Sequence, residues 1–231
     1  MSRFAPLLAL TLAACMDTTT GTTPVATAAP PRPSANLAVK NFSTVIKRVE
    51  PVAERECRQR TSGVSCDFLI AVDDRPDQPS NAYQTLNKNG RPVVVFTVAL
   101  LAEARNQDEL AFILGHETSH HIRGHIPKTQ QSAMAGALVL GVLASIGGAG
   151  QAGVEAAQNV GATVGARRYA KGYELEADQL GTIIAIKAGY DPVRGSQYFA
   201  RIPDPGNRFL GSHPPNADRI RIVRETAAAQ R

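Results

Sequence analysis

The sequence predicts a mostly helical α+β domain, with a small antiparallel β-sheet beside one central helix. Three observations predict it. Apolar residues recur every three or four positions over several long stretches, the period of a half-buried helix. Runs rich in β-branched and aromatic residues are confined to residues 66–97, around an Asn89-Gly90 turn signal. The composition is that of an ordinary globular chain, with 231 residues, 43% hydrophobic and 19% charged. That is enough for one sizeable domain plus a targeting segment. A net charge of +5 is spread along the chain without Lys/Arg clusters interleaved with aromatics, which argues against nucleic-acid binding.

The first 14 residues have the layout of an export signal: Arg3, then an apolar run from Phe4 to Ala14 that is too short to span a hydrocarbon core of about 30 Å. It ends in Leu12-Ala13-Ala14-Cys15, which resembles the lipobox of bacterial lipoproteins. That resemblance implies cleavage before Cys15 and a lipid on its thiol. The other reading is a plain secretory signal with an incidental cysteine. Residues 15–37 are dominated by Thr, Pro and Ala, so they predict a disordered tether between the lipid and a domain over 38–231. Lipoproteins lacking Asp directly after the lipidated cysteine tend to reach the outer membrane. Met16 stands there, with Asp17 next. The implied location is the bacterial envelope, on the outer membrane facing the periplasm. In that oxidising compartment Cys57 and Cys66 are expected to pair, joining the end of a helix to the start of a strand, or else to remain two buried thiols.

The elements follow in order. Val39, Phe42, Val45, Ile46 and Val49 predict an amphipathic helix starting near Leu37. Pro51 leaves open whether it is one helix or two before Arg60. Strands are expected at Cys66–Val72, Asn81–Leu86 and Val93–Thr97. A helix follows Asn106, with Asn106 as N-cap, Glu109 completing a capping box, and Gly124 and Pro127 marking its end. Residues 133–150 are apolar and rich in Gly and Ala. A membrane span, helices packed through small residues, a flap over the site, and a membrane-surface or substrate contact are the readings they allow. Further helices are expected over 172–188, closed by Gly189, and after Asn216.

The chemistry lies in Gly115-His116-Glu117-Thr118-Ser119-His120, an H-E-x-x-H pattern. Positions i and i+4 share a helix face, so His116 and His120 can bind one Zn²⁺, at about 2.1 Å each. Glu117 then sits where it can take a proton from a zinc-bound water. Chance gives this pattern roughly once in 200 such chains, so the bland alternative, a polar helix face, is the weaker one. A third ligand is needed. His121 points off the face, and His125 does not fit the metzincin spacing. Glu174 and Asp178, four apart on a later helix, offer a carboxylate ligand and a carboxylate to hold a histidine N–H. Glu176 is rotated towards solvent.

These motifs, in this order, resemble the M48 family of metallopeptidases, gluzincins of zincin-type fold, from about residue 38 onward. Asn81-Ala82-Tyr83, Val93–Leu101, Asp108-Glu109-Leu110, GHETSHHIRGH, Glu174-Leu-Glu-Ala-Asp178 and Ser212-His213-Pro214 with Arg219-Ile220 carry the resemblance. Thr97-Val98-Ala99 departs from the family's usual T-G at the strand end. The resemblance implies one Zn²⁺ per chain on His116, His120 and Glu174, with Glu117 as general base. It makes His213 a candidate for oxyanion stabilisation or gating, and Arg219 its support. It also implies a role in quality control of unfolded or misfolded envelope proteins. Substrate is expected to add as a strand beside Val93, Val94, Val95 and Phe96, near Asn81 and Ala82. The rival reading is a zinc-holding but latent chaperone or assembly factor for outer-membrane proteins, with His213 closing the metal site.

Overall fold

The computed structural model describes residues 31–206 and 213–231. Cys15, the export signal and most of the proposed tether lie outside the described residues. Helix α1 spans Ala35–Arg60, capped by Ser34, whose hydroxyl accepts the Leu37 N–H at 3.4 Å. It runs unbroken through Pro51. Pro51 is exposed, while Val45, Val49, Val52, Ala53 and Cys57 bury the opposite side. Core packing thus outweighs one missing helical hydrogen bond. Cys57 is disulfide-bonded to Cys66, joining the end of α1 to the segment entering the sheet.

The sheet has three strands, β1 (Leu69–Asp73), β2 (Ala82–Leu86) and β3 (Pro92–Thr97), in the order β1-β3-β2. It is mixed rather than antiparallel throughout. β2 and β3 form the expected antiparallel hairpin around Asn89-Gly90, but β1 pairs parallel to β3. The reason lies in burial. β3 carries the most continuous apolar run, with Val94 and Phe96 fully buried, and takes the centre. β1 and β2, each half exposed, take the edges. This corrects the expectation that Val93–Phe96 offers a free edge, because both sides of β3 are already paired.

At the end of β3 the chain turns directly into α2 (Val98–Glu103). Thr97 caps it, accepting the N–H groups of Leu100 (3.3 Å) and Asn81 (3.0 Å) on its hydroxyl. The departure at Val98-Ala99 therefore begins a helix. α3 (Gln107–Ile122) starts at Asn106, whose side chain accepts the Glu109 N–H at 3.0 Å. The buried Glu109 carboxylate reaches back to the Arg105 N–H, one residue beyond the expected partner, and is clamped by Arg201 at 2.6 and 2.9 Å. α4 (His125–Ile146) and α5 (Gln151–Arg168) form an antiparallel hairpin. α6 (Ala170–Lys187) returns across α3, followed by the short α7 (Pro192–Gly195), a 3-10 turn (Ser196–Ala200) and α8 (Asn216–Ala229).

α3 is the central element, packed by α1, α6, α7 and β2. Its crossing with α6 is backbone against backbone. A Cβ on Gly115 would lie 2.8 Å from the Gly181 carbonyl oxygen, and one on Gly181 would lie 2.7 Å from the His116 nitrogen. Gly181→Ala is therefore expected to force the helices apart and cost about 1–3 kcal/mol, the usual range for overpacking. Urea unfolding of the variant measures this. A midpoint equal to wild type would contradict the close crossing.

Candidate metal centre

The α3–α6 crossing sets the site. One residue after Gly115, His116 is buried, and His120 lies one turn on. Opposite them, α6 presents Glu174 and Asp178 on one face. The His116 and His120 Nε2 atoms are 3.0 Å apart, and Glu174 Oε atoms lie 3.5 and 3.4 Å from them. Ligands at about 2.1 Å from a tetrahedral zinc are about 3.4 Å apart, so the two carboxylate separations, one to each oxygen, match such an ion and the imidazole pair stands slightly closer. These donors form the one group among the described residues whose atoms lie close enough together to hold a metal.

The outer nitrogens of both histidines are held. His116 Nδ1–H donates to Asp178 at 2.8 Å. Asp178 is fully buried and receives Arg219 through two bonds of 2.7 Å. The Arg219 guanidinium in turn lies over the Phe199 ring, 3.8 Å from its centroid. The buried carboxylate is therefore paired, which offsets the cost of desolvating it. On the other side, His120 Nδ1–H points to His125 Nδ1 at 2.9 Å, and His125 Nε2–H to Glu176 at 3.4 Å. Tyr173 stacks on the His125 ring at 4.6 Å. Both relays leave Nε2 free to face the ion, with the tautomers fixed by these partners.

His125 and Glu176 are what the sequence reading missed. Rejected as a ligand, His125 belongs behind one, and Glu176 is half exposed yet serves it. His121 does point away, to the Ser65 carbonyl at 2.7 Å. His213 is half exposed, and its Nδ1 lies 3.1 Å from Glu174 Oε2, on the ligand rather than in a separate position. Asn81 and Ala82 line a cavity of about 850 Å³ that opens on His116, Glu117 and His120. The edge strand at this cavity is β2, not β3. Leu100, Phe112 and Tyr198 give it an apolar wall. Cys57 and Cys66 do not line it.

Charge within the site is strongly redistributed. Burial opposes the His116 cation, but Asp178 and Glu174 outweigh it and lift its pKa to about 10. Burial and the His116 charge depress His120 to about 3. Burial pushes the Glu117 carboxyl up to about 7, with Glu174 adding to the rise and His116 opposing it. Against the penalty of burial, His116 and His213 hold Glu174 well below the usual carboxylate range. Without the ion, then, a proton on His116 supplies the positive charge that the carboxylates demand.

Such a helix, with two imidazoles facing a distant carboxylate beside a cavity, is the arrangement of an H-E-x-x-H metal centre. Residues 41–227 match the model of peptidase family M48, and the chain belongs to that family of metallopeptidases. It is 31% identical over 146 residues to a Vibrio cholerae serotype O1 protein provisionally named a beta-barrel assembly-enhancing protease. It is also 32% identical over 130 residues to the beta-barrel assembly-enhancing protease of Yersinia pestis. These matches cover 55% and 53% of this chain but only 29% and 26% of the relatives, so the chain spans little more than a quarter of their length.

Two outcomes follow. Metal uptake must displace the His116 proton, so affinity should rise as pH rises from 6 to 8, with about one proton released per ion. Calorimetric Zn²⁺ titration in two buffers of different ionisation enthalpy measures this, and zero proton release would contradict the assignment. His125→Phe keeps the stack on Tyr173 but removes the acceptor for His120. It should weaken Zn²⁺ binding about 10–100-fold while leaving the melting temperature of the metal-free protein near wild type.

Proposed function

We propose that this protein is a zinc-dependent metalloendopeptidase acting on unfolded or misfolded proteins of the bacterial envelope, anchored to the membrane by a lipid on Cys15. The observation that carries the catalytic part is the placement of Glu117. Its carboxyl faces the same cavity as the three donors. A carboxylate placed there can take a proton from a water and return it to a leaving group.

His116, His120 and Glu174 would hold the ion. Bound there, zinc supplies a Lewis acid that acidifies a water and polarises a peptide carbonyl. Glu117 accepts the proton from the attacking water and passes it to the leaving amine. Asp178, with Arg219 behind it, and His125 keep the two imidazoles aimed. An extended substrate adds to the free edge of β2, near Asn81 and Ala82, through main-chain hydrogen bonds. That mode reads extended backbone more than side-chain sequence, which suits unfolded clients. The apolar wall of Leu100, Phe112 and Tyr198 accepts an apolar side chain.

A second reading has support in His213. Its imidazole sits on Glu174 at 3.1 Å. From there it can hold the ligand and keep the centre latent, as an assembly factor with regulated cleavage requires.

The test is cleavage of an unfolded casein-type substrate with and without a chelator. Wild type should lose activity on chelation and recover it with Zn²⁺. Glu117→Gln should retain the ion but lose about 10²–10⁴-fold in rate. Full activity in that variant would remove Glu117 as the base. His213→Ala distinguishes the two readings, since faster cleavage marks a gate and slower cleavage an oxyanion donor.

A further inference from the structure

The α4–α5 hairpin has a feature that the metal centre does not use. Residues 129–154 carry no Asp, Glu, Lys or Arg. α4 is long and apolar enough to cross a membrane by length and composition, yet almost none of it is buried in the protein. Its seam with α5 is made by small residues. Gly136 meets Gly161, and Gly165 meets Ser132, at distances that leave no room for a Cβ. The large side chains are therefore not consumed by the seam. They stand on the outer face of α4, where Met134, Leu138, Val139, Val142, Leu143 and Ile146 are 48–79% exposed. The outward positions of α5 are more mixed, with Gln151, Glu155, Asn159 and Thr163 facing water beside the exposed Val160 and Val164.

The hairpin is thus uneven as a unit, apolar along α4 and mixed along α5, where Glu155 is the charged residue between Gln151 and Ala166. At its base the character changes again. Lys128, Arg167 and Arg168 cluster there with Tyr169, which is 47% exposed under the Arg168 guanidinium. Uncharged apolar surface ending in basic and tyrosine side chains is the pattern of a segment that lies in a lipid interface. Glu155 and the polar face of α5 fit a hairpin lying along the surface better than one crossing it, because each would be costly in hydrocarbon.

We infer that the outer face of α4 is a membrane-binding surface, which seats the domain on an anionic bilayer with α5 turned to water. The occupant is lipid rather than a partner protein, because the charge-free apolar face of α4 ends at a basic base that both helices of the hairpin supply. Ile126 and Thr129 from the base of α4 and Ala166 from α5 line the catalytic cavity. Docking would therefore place the cavity beside the membrane, where envelope clients emerge.

The experiment uses the full mature-length chain with Cys15→Ser, so that no lipid anchors it and the anchor reading is not under test. The chain has no tryptophan, so Leu138→Trp is a sole reporter. With vesicles of phosphatidylethanolamine and phosphatidylglycerol, its emission should shift to the blue and be quenched by brominated acyl chains. Leu138→Gln/Val142→Gln/Ile146→Gln should lower vesicle partition at least about tenfold. It should keep the wild-type melting temperature and casein cleavage, since these side chains are exposed and away from the metal donors. A water-like emission with vesicles, or unchanged partition of the triple variant, would overturn the proposal. So would a blue shift without lipid accompanied by a dimer in light scattering, which would make a second copy the occupant. Absence of casein cleavage by the chain with its native hairpin, with vesicle binding intact, would sink the peptidase reading and leave this one standing.

Discussion

The close crossing of α3 and α6 is the constraint on which the rest of this structure depends. Two helices touch backbone to backbone at Gly115 and Gly181, and the metal donors fan out from that point. A normal interaxial distance of 8–10 Å with side chains between would separate Glu174 from the histidines. Glycine gives up helix propensity at both positions, by about 1 kcal/mol each. The gain is a donor set held by rigid elements rather than by loops.

The second constraint is electrostatic. Four ionisable groups, His116, Glu174, Asp178 and Arg219, are buried or nearly so within a few ångströms of one another. Removing one member of such a group leaves an unpaired buried charge, at a cost of about 3–5 kcal/mol. Arg219 comes from α8, near the C-terminus of the chain. α8 is thereby tied to α3, and the candidate metal centre is complete only when both helices have docked. The Arg201–Glu109 clamp does the same at the start of α3.

Much of the fold was readable because its signals are local. Helical spacing, the Asn106 cap, the Asn89-Gly90 turn and Gly189 as a helix stop each depend on a few neighbouring residues. The H-E-x-x-H pattern is local too, since one helical turn fixes the two imidazoles. Where reading failed, the cause was non-local. Strand order depends on which run buries best on both faces, so β3 took the centre and the free edge passed to β2. Pro51 left one helix or two open, because the packing of α1 against the core that holds the helix through it is not local. His125 was judged only as a ligand, because its role behind His120 needs the turn at Gly124 to bring it back.

The sequence by itself determined the chemistry: two histidines and a glutamate on one turn, a carboxylate pair four residues apart, and a cysteine pair. Those follow from residue type and from a helical period that any chain must obey. Tertiary structure alone decided how they meet. It chose which strand edge faces the cavity, set Glu174 opposite the imidazoles, and placed Arg219 against Asp178. It also left the apolar face of α4 uncovered. These are outcomes of competition for burial among distant segments, and no local pattern records the result.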